Sequence, residues 1–394
     1  MAREIAITIY LIVFRLIFQI CKLCPQKKKS TFVASFGDNV LFTVQALEEL
    51  TDVQVVVLKT AQCKVRFDDV PSRIVLNFEP RQFLQWIRSI YHLATSTHVF
   101  VDNYFGFLAV SAFKENVACT QLWHAAGAVK QFGLKDPSNA NRTPKAIARF
   151  QQVYNRFNHV VVGSEKMAEI FQQSFGLQAD RMLRTGIPRT DFFFDEKAIT
   201  ETRELLQRNY PIINKKKVIL YAPTFRDHEL NVGKIALDVT KMYEALHKDY
   251  VLLLRLHPAV KASLPNSYPD FIVDVSSYPD VNHLLVITDI LVSDYSSIPF
   301  EFALMEKPMI FFAYDLEEYA EARGFWEKYE DLVPGPIVTN TEELIEIISY
   351  EEFDMERVTT FANEWNMYSN GQSSKQLIHA LFPESEEQPV TMLQ

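Results

Sequence analysis

The stretch LVSDYSSIPFEFALMEKP, residues 291–308, leads from an apolar run through a serine turn into a helix start. Residues 286–292 (VITDILV) are apolar and rich in β-branched side chains over the length of a strand. Ser296 and Ser297 stand where N-caps belong, Pro299 suits a first helical turn, and Glu301 adds its negative charge there. Strand, serine turn and helix, in that order, form an anion site, because hydroxyls and unsatisfied N–H groups converge on one point. The same residues also read as an ordinary N-cap, and the stretch alone leaves both readings open.

Working outward, strands and helices alternate along the chain. STFVASF (30–36), VQVVVLK (53–59), THVFVDN (97–103), VACTQLWH (117–124) and HVVVGS (159–164) read as buried strands, with helical segments such as 80–95 between them. Gly and Pro in RTGIPRTD (184–191) punctuate the pattern, which then restarts. The second series has strands at 216–225, 250–258, 270–276, 289–297 and 307–315, and helices near 238–247, 281–287 and 300–306. Two successive series predict two doubly wound α/β domains. Ligands of such sheets bind beyond the carboxyl ends of the strands, so the expected site is a cleft between the two. Asn103, His124, Ser164, Thr224, Arg226, His257, Asp294 and Ser296 all fall at those ends. Scattered core or surface polar residues would not collect there.

A chain of 394 residues with 48% hydrophobic residues and 30 Phe can bury two cores. With only 11 Gly and neither GxGxxG nor GxxxxGK[ST], phosphate has to be held by caps, Arg and His. The net charge of −9 argues against a nucleic-acid partner. Cys21, Cys24, Cys63 and Cys119 are too few for a disulfide framework and lack zinc spacing. With no D-x-D triplet either, neither a metal nor a cofactor is expected.

Residues 5–24, IAITIYLIVFRLIFQICKLC, are nearly all apolar but carry Arg15 mid-way, and QKKK follows at 26–29. Arg15 at the centre of a spanning helix would cost about 2.5–3.5 kcal/mol. A helix lying in the membrane interface, with Lys27, Lys28 and Lys29 against anionic headgroups, fits better than a spanning or a fully buried one. The expected division is therefore a membrane-associated segment 1–29, domains 30–187 and 188–382, and a solvated tail 383–394.

In QLWHAAGAVKQFG, His124 directly follows a strand and can act as general base on a hydroxyl, while small residues and Gly127 let a ligand approach the backbone. In YAPTFRD, Thr224 and Arg226 suit a diphosphate, Arg226 as a guanidinium clamp; a surface Arg pairing Asp227 is the alternative. His257 precedes Pro258 as its strand exits and can hydrogen-bond a phosphoryl oxygen, or be structural. Arg189 lies at the domain junction.

WHAAGAVKQFG, VVGSEKMAEIF, GIPRTDFFF, ILYAPTFRD, LLRLHPA and ILVSDYSSIPFEFALMEKPMIFFAYDLEEY, in this order from about residue 30 to 380, resemble the CDP-glycerol glycerophosphotransferases of wall teichoic acid synthesis. Length and the lack of a large extra N-terminal domain point to the priming rather than the chain-extending branch. The resemblance implies two facing Rossmann-like domains of GT-B type, peripheral on the cytoplasmic face of the cell membrane. It implies transfer of sn-glycerol 3-phosphate from CDP-glycerol to the N-acetylmannosamine of an undecaprenyl-diphosphate-linked disaccharide, releasing CMP. Other enzymes of the same synthesis are implied as partners. His124 becomes the base and His257 a second catalytic residue. Thr224, Arg226, Ser296 and Ser297 surround the donor diphosphate with His257. Arg189 and Glu301 are expected at the nucleotide or ribose, and Trp123, Gly127, Arg156 and Asp294 as further substrate contacts. Position 126 departs from the pattern, being Ala where many relatives have Gly directly or one residue after the His.

Overall fold

The computed structural model describes residues 2–224, 226, 235–256, 268–350 and 352–383. His257, Phe225 and Asp227 lie outside the described residues.

Two parallel sheets form, each in its own unit. The first holds seven strands in the order β3-β2-β1-β4-β5-β6-β7. They are β1 (Lys29–Ala34), β2 (Gln54–Lys59), β3 (Ile74–Asn77), β4 (His98–Val101), β5 (Ala118–Gln121), β6 (His159–Val161) and β7 (Met182–Leu183). All neighbouring pairs are parallel. The second sheet has the order β10-β9-β8-β11-β12-β13. It comprises β8 (Lys217–Tyr221), β9 (Tyr250–Leu254), β10 (Ile272–Asp274), β11 (Ile290–Ser293), β12 (Met309–Phe312) and β13 (Ile337–Val338), again all parallel. The central strands are buried almost throughout, as runs such as VILY and VLLL require when helices cover both faces.

In both sheets the strand order reverses beside the first strand of the series. The crevices of the two switch points therefore open beyond β1 and β4, and beyond β8 and β11. His124 follows β5, whereas Thr224 and Ser296 follow β8 and β11. The strands β3, β7 and β13 had no clear sequence signal: two are only two residues long.

By packing, residues Met1–His124, Phe132–Asp191 and Tyr368–Gln394 form one unit, and Ala125–Gln131 with Phe192–Met367 the other. This division differs from the sequence-based one, and residues 1–29 and 188–191 also belong to the first unit. Residues 125–131 leave the first series, and the helix Ser373–Leu381 returns to it. The return is anchored by Asp191, whose two carboxylate oxygens accept the N–H groups of Ser373 and Ser374 at 2.8 Å each. A carboxylate at a helix N-terminus satisfies orphan donors and meets the positive end of the dipole.

The N-terminal helix α1 (Ala2–Lys22) is two-faced. Phe14 and Phe18 are fully buried. Phe14 packs against Trp86 of α3 (Phe83–Thr95) at 6.0 Å and against Phe107 at 5.1 Å, and Phe18 meets Phe113 at 5.6 Å. Ile9, Ile12, Leu16 and Ile20 stand exposed on the other face. The fully buried helix considered from the sequence is thus corrected, since only one stripe of α1 packs on protein. Lys29 is also corrected. It is 1% exposed, begins β1, and donates to Thr95 Oγ1 at 2.7 Å, so it cannot meet a headgroup. Lys28 pairs with Asp52, and Lys27 stays exposed.

Candidate active site

In the first unit, the turn after β1 and the exit of β4 are tied together by Asp102. One carboxylate oxygen accepts the N–H groups of Ser35 (3.0 Å), Phe36 (2.9 Å) and Gly37 (2.8 Å), and the other that of Ser35 at 2.9 Å. These amides precede α2 (Asp38–Leu50), so a side chain of the protein occupies the anion position at this helix start. Burial pushes Asp102 up to about 6, against the pull of the three amides.

The backbone carbonyl of Asp102 fixes His124, whose Nδ1 lies 3.0 Å away. A carbonyl can only accept, so Nδ1 carries the hydrogen and Nε2 keeps its lone pair. The imidazole stacks on Phe36 (centroids 4.0 Å apart, 8° between planes) and on Trp123 (4.4 Å). Burial lowers His124 to about 4, outweighing the hydrogen bond to Asp102, with Arg189 lowering it further. A neutral imidazole with Nε2 available is what a general base requires.

Trp123 holds a left-handed backbone, φ 58°, uncommon outside glycine. It is kept there by its N–H to Gln121 Oε1 (2.9 Å) and by packing on Phe132 at 4.9 Å and Phe171 at 5.4 Å. Trp123 is therefore a support for the histidine. Asn39, 2% exposed, donates to the Trp123 carbonyl at 3.0 Å and accepts the Arg189 N–H at 3.0 Å. That joins the His124 turn to the GIPRTD segment. The Arg189 side chain is buried, with Nη1 3.6 Å from Asp38 Oδ2.

The pH profile of kcat/KM is accordingly expected to be flat above neutrality, to bend near about 6 where Asp102 is half protonated, and to collapse toward about 4 as His124 takes its proton. A steady-state pH series checks this; a midpoint at or above neutrality contradicts the shielding.

In the second unit, the exits of β8, β11 and β12 meet on Arg226. Nε and Nη2 donate to the two oxygens of Asp315 at 2.9 Å each, and Nη1 donates to Asp294 Oδ2 at 2.7 Å and to the Thr224 carbonyl. Asp294 also accepts the Thr224 N–H at 2.7 Å, and Tyr295 donates its hydroxyl to Asp315 at 2.9 Å. Tyr295, Tyr314 and Tyr319 rings lie 5.0 to 5.3 Å from the guanidinium. Burial pushes Asp315 up, yet Arg226 outweighs it and holds the carboxyl below its ordinary value.

Two expectations are corrected here. Arg226 is 3% exposed and has four of its five N–H groups taken, so it ties three strand exits together and does not serve as a clamp open to a diphosphate. Asp294, 1% exposed and committed to Thr224 and Arg226, is its partner and not a substrate contact.

Three hydroxyls follow the same strand exits. Thr224 Oγ1 is buried without a hydrogen-bond partner among the described residues. Ser296 Oγ accepts the Ile298 N–H at 3.2 Å, as an N-terminal turn serine should, whereas the Ser297 hydroxyl makes no capping bond. Both serines are half-buried. The expected helix at 300–306 is shorter, running Ile298–Phe302, with Pro299 in its first turn and Glu301 fully buried. Lys130, which the sequence reading passed over, reaches Tyr319 Oη at 3.3 Å, and burial lowers its ammonium to about 8. Among the described residues, no three His, Cys, Asp or Glu side chains gather as a metal would need.

Gly127 is also reassigned. A Cβ there would lie 2.1 Å from Phe300 Cδ1, so the glycine admits a phenyl ring instead of a ligand. Gly127→Ala is expected to cost about 1–3 kcal/mol by overpacking, read from denaturant midpoints, with part recovered when Phe300→Leu is added. A neutral Gly127→Ala would mean that residues 125–131 do not pack on this face.

The structure does not bring Arg156 to the others. Its Nε holds the Leu108 carbonyl at 3.2 Å. It lies two residues before Asn158, which pairs Cys119 near the amino end of β5, away from the carboxyl end where His124 sits.

The family model described as CDP-glycerol:poly(glycerophosphate) glycerophosphotransferase matches residues 32–383. The chain is 35% identical over 357 residues to the teichoic acid glycerol-phosphate primase of Bacillus subtilis (strain 168), covering 90% of this chain and 91% of that protein. It is 36% identical over 305 residues to the teichoic acid poly(ribitol-phosphate) polymerase of Bacillus spizizenii, covering 76% of this chain and 49% of that protein. A solved structure of the wall teichoic acid polymerase TagF, 23% identical, matches with a TM-score of 0.80 over 98% of each chain, a likeness of fold.

Proposed function

We propose how this geometry is used by a chain that belongs to the CDP-glycerol:poly(glycerophosphate) glycerophosphotransferase family. It is a glycerophosphotransferase of teichoic acid synthesis. In the proposed reaction the donor is CDP-glycerol and the acceptor is a hydroxyl of the N-acetylmannosamine on an undecaprenyl-diphosphate-linked disaccharide. The acceptor oxygen attacks the phosphorus that bears glycerol, the bond from that phosphorus to the oxygen of CMP breaks, and CMP leaves with the electron pair. His124 Nε2 takes the hydroxyl proton. The observation that carries this reading is the Nδ1–H held by the Asp102 carbonyl, which fixes the base tautomer.

On the donor side, Thr224, Ser296 and Ser297 offer hydroxyls and Lys130 a cation to the diphosphate, with Arg189 and Glu301 proposed at the nucleotide. Such groups stabilise charge moving onto the leaving phosphate. The GT-B organisation, with the acceptor bound by the first unit and the donor by the second, is part of this proposal, as is His257 in its expected role. So is peripheral attachment to the cytoplasmic face through α1, whose exposed apolar stripe supports it. Priming is the reading supported by the 35% identity to the B. subtilis primase over 90% of this chain.

Calorimetric titration of the full chain with CDP-glycerol, CDP-ribitol and UDP-N-acetylglucosamine tests the donor. Tightest binding of CDP-glycerol is expected. Preference for either of the others overturns the donor assignment.

A further inference from the structure

Arg15 has no part in the chemistry above, yet it stands exposed in the middle of the apolar stripe of α1. It lines a cavity of about 240 Å³ in the first unit, walled by Leu11, Ile12 and Val110 and by the helix Pro144–Tyr154, which contributes Lys145 and Arg149. Lys145 Nζ donates to Thr8 Oγ1 at 3.2 Å. Arg149 Nη1 lies 3.3 Å from Glu4 Oε2. Neither Arg15 nor Lys145 has a carboxylate partner among the described residues. Of three cations lining a cavity with apolar walls, only Arg149 thus meets a carboxylate.

A guanidinium on the apolar side of an interfacial helix costs free energy unless something anionic meets it at headgroup depth. Isoleucine and leucine around it fit the chain end of an amphiphile, and the two guanidinium forks with an ammonium fit an oxyanion that offers several oxygens. We propose that this cavity binds the phosphate head of a membrane lipid, Arg15 and Lys145 holding the phosphate and Leu11, Ile12 and Val110 the adjoining acyl end. The proposal rests on the reading that α1 lies on a membrane. The residues after β4 connect it to the active site, since Asp102 orients His124 and Val110 walls the cavity within nine residues of chain.

Flotation with vesicles tests it on the full chain. The vesicles are phosphatidylcholine alone, phosphatidylcholine with phosphatidic acid, and phosphatidylcholine with oleate at equal surface charge. The proteins are wild type, the double variant Arg15→Gln/Lys145→Gln, and Lys27→Gln as an exposed-lysine control. Both altered side chains in the double variant are exposed, so unchanged donor binding in titration reports an intact fold. One cation near an anionic surface accounts for about fivefold in partitioning, so the double variant should lose roughly 25-fold on phosphatidic acid. Wild type should prefer phosphatidic acid to oleate, and Lys27→Gln should keep that preference.

Equal wild-type binding to the two anionic vesicles, or an unchanged double variant, overturns the site while leaving the membrane reading intact. Displacement by inorganic phosphate alone overturns the lipid as its source. No wild-type binding to any vesicle overturns the membrane reading, and the site with it.

Discussion

His124→Ala is expected to lower kcat by about two to four orders of magnitude while leaving CDP-glycerol affinity within about twofold, the range a positioned general base supplies. The split follows from where the residue sits. Its ring is held by Phe36, Trp123 and the Asp102 carbonyl, all in the first unit, while the proposed donor contacts Thr224, Ser296 and Ser297 belong to the second. Removing the base should therefore be felt in turnover and not in donor binding. His124→Asn should behave like alanine, because an amide can accept the acceptor's hydrogen bond but cannot take its proton at neutral pH. Steady-state kinetics beside donor titration checks both. Turnover near the wild-type rate removes His124 from the chemistry. A loss confined to donor affinity places it at the diphosphate instead.

Arg226→Ala should behave differently, as a defect of folding. It would leave the buried carboxylate of Asp294 and the half-buried one of Asp315 without their shared cation. Breaking such a buried pair typically costs about 3–5 kcal/mol, a large share of the stability of one domain. Arg226→Lys should recover little, since an ammonium cannot reproduce the paired bonds to Asp315 together with the one to Asp294. Chemical unfolding and the yield of folded protein read the effect. A stably folded Arg226→Ala with weakened donor binding alone would restore the clamp reading and contradict the saturated geometry.

The contrast between these two residues shows what the sequence can carry. Alternating strands and helices, and polar residues gathered at strand exits, pointed to two parallel sheets and to His124, Thr224 and Ser296 beyond their strands. Each of those is marked in the sequence by its place at the end of a strand-like run. The partners of Arg226 are 68 and 89 residues away along the chain, and Phe300 is 173 residues beyond Gly127, so local pattern could not tell a clamp from a staple or a ligand gap from a ring contact. Asp102 stands at the end of THVFVDN, where the strand-end pattern singles out Asn103 one residue later. A carboxylate directly after a central strand, opposite a Ser-Phe-Gly turn, was the available signal. Lys29 shows the opposite failure. A basic run looks solvated, and only the start of β1 within it turns its last member inward.

The central claim is acceptor-dependent transfer of glycerol phosphate. Its most direct test is CMP release from CDP-glycerol by the full chain, with and without a short-chain analogue of the lipid-linked disaccharide, followed by the mass of the product. CMP that appears only with acceptor, and a product heavier by a single glycerol phosphate, is the expected result. A ladder of additions would make the chain a polymerase, and no CMP in either condition would contradict the donor and the reaction together.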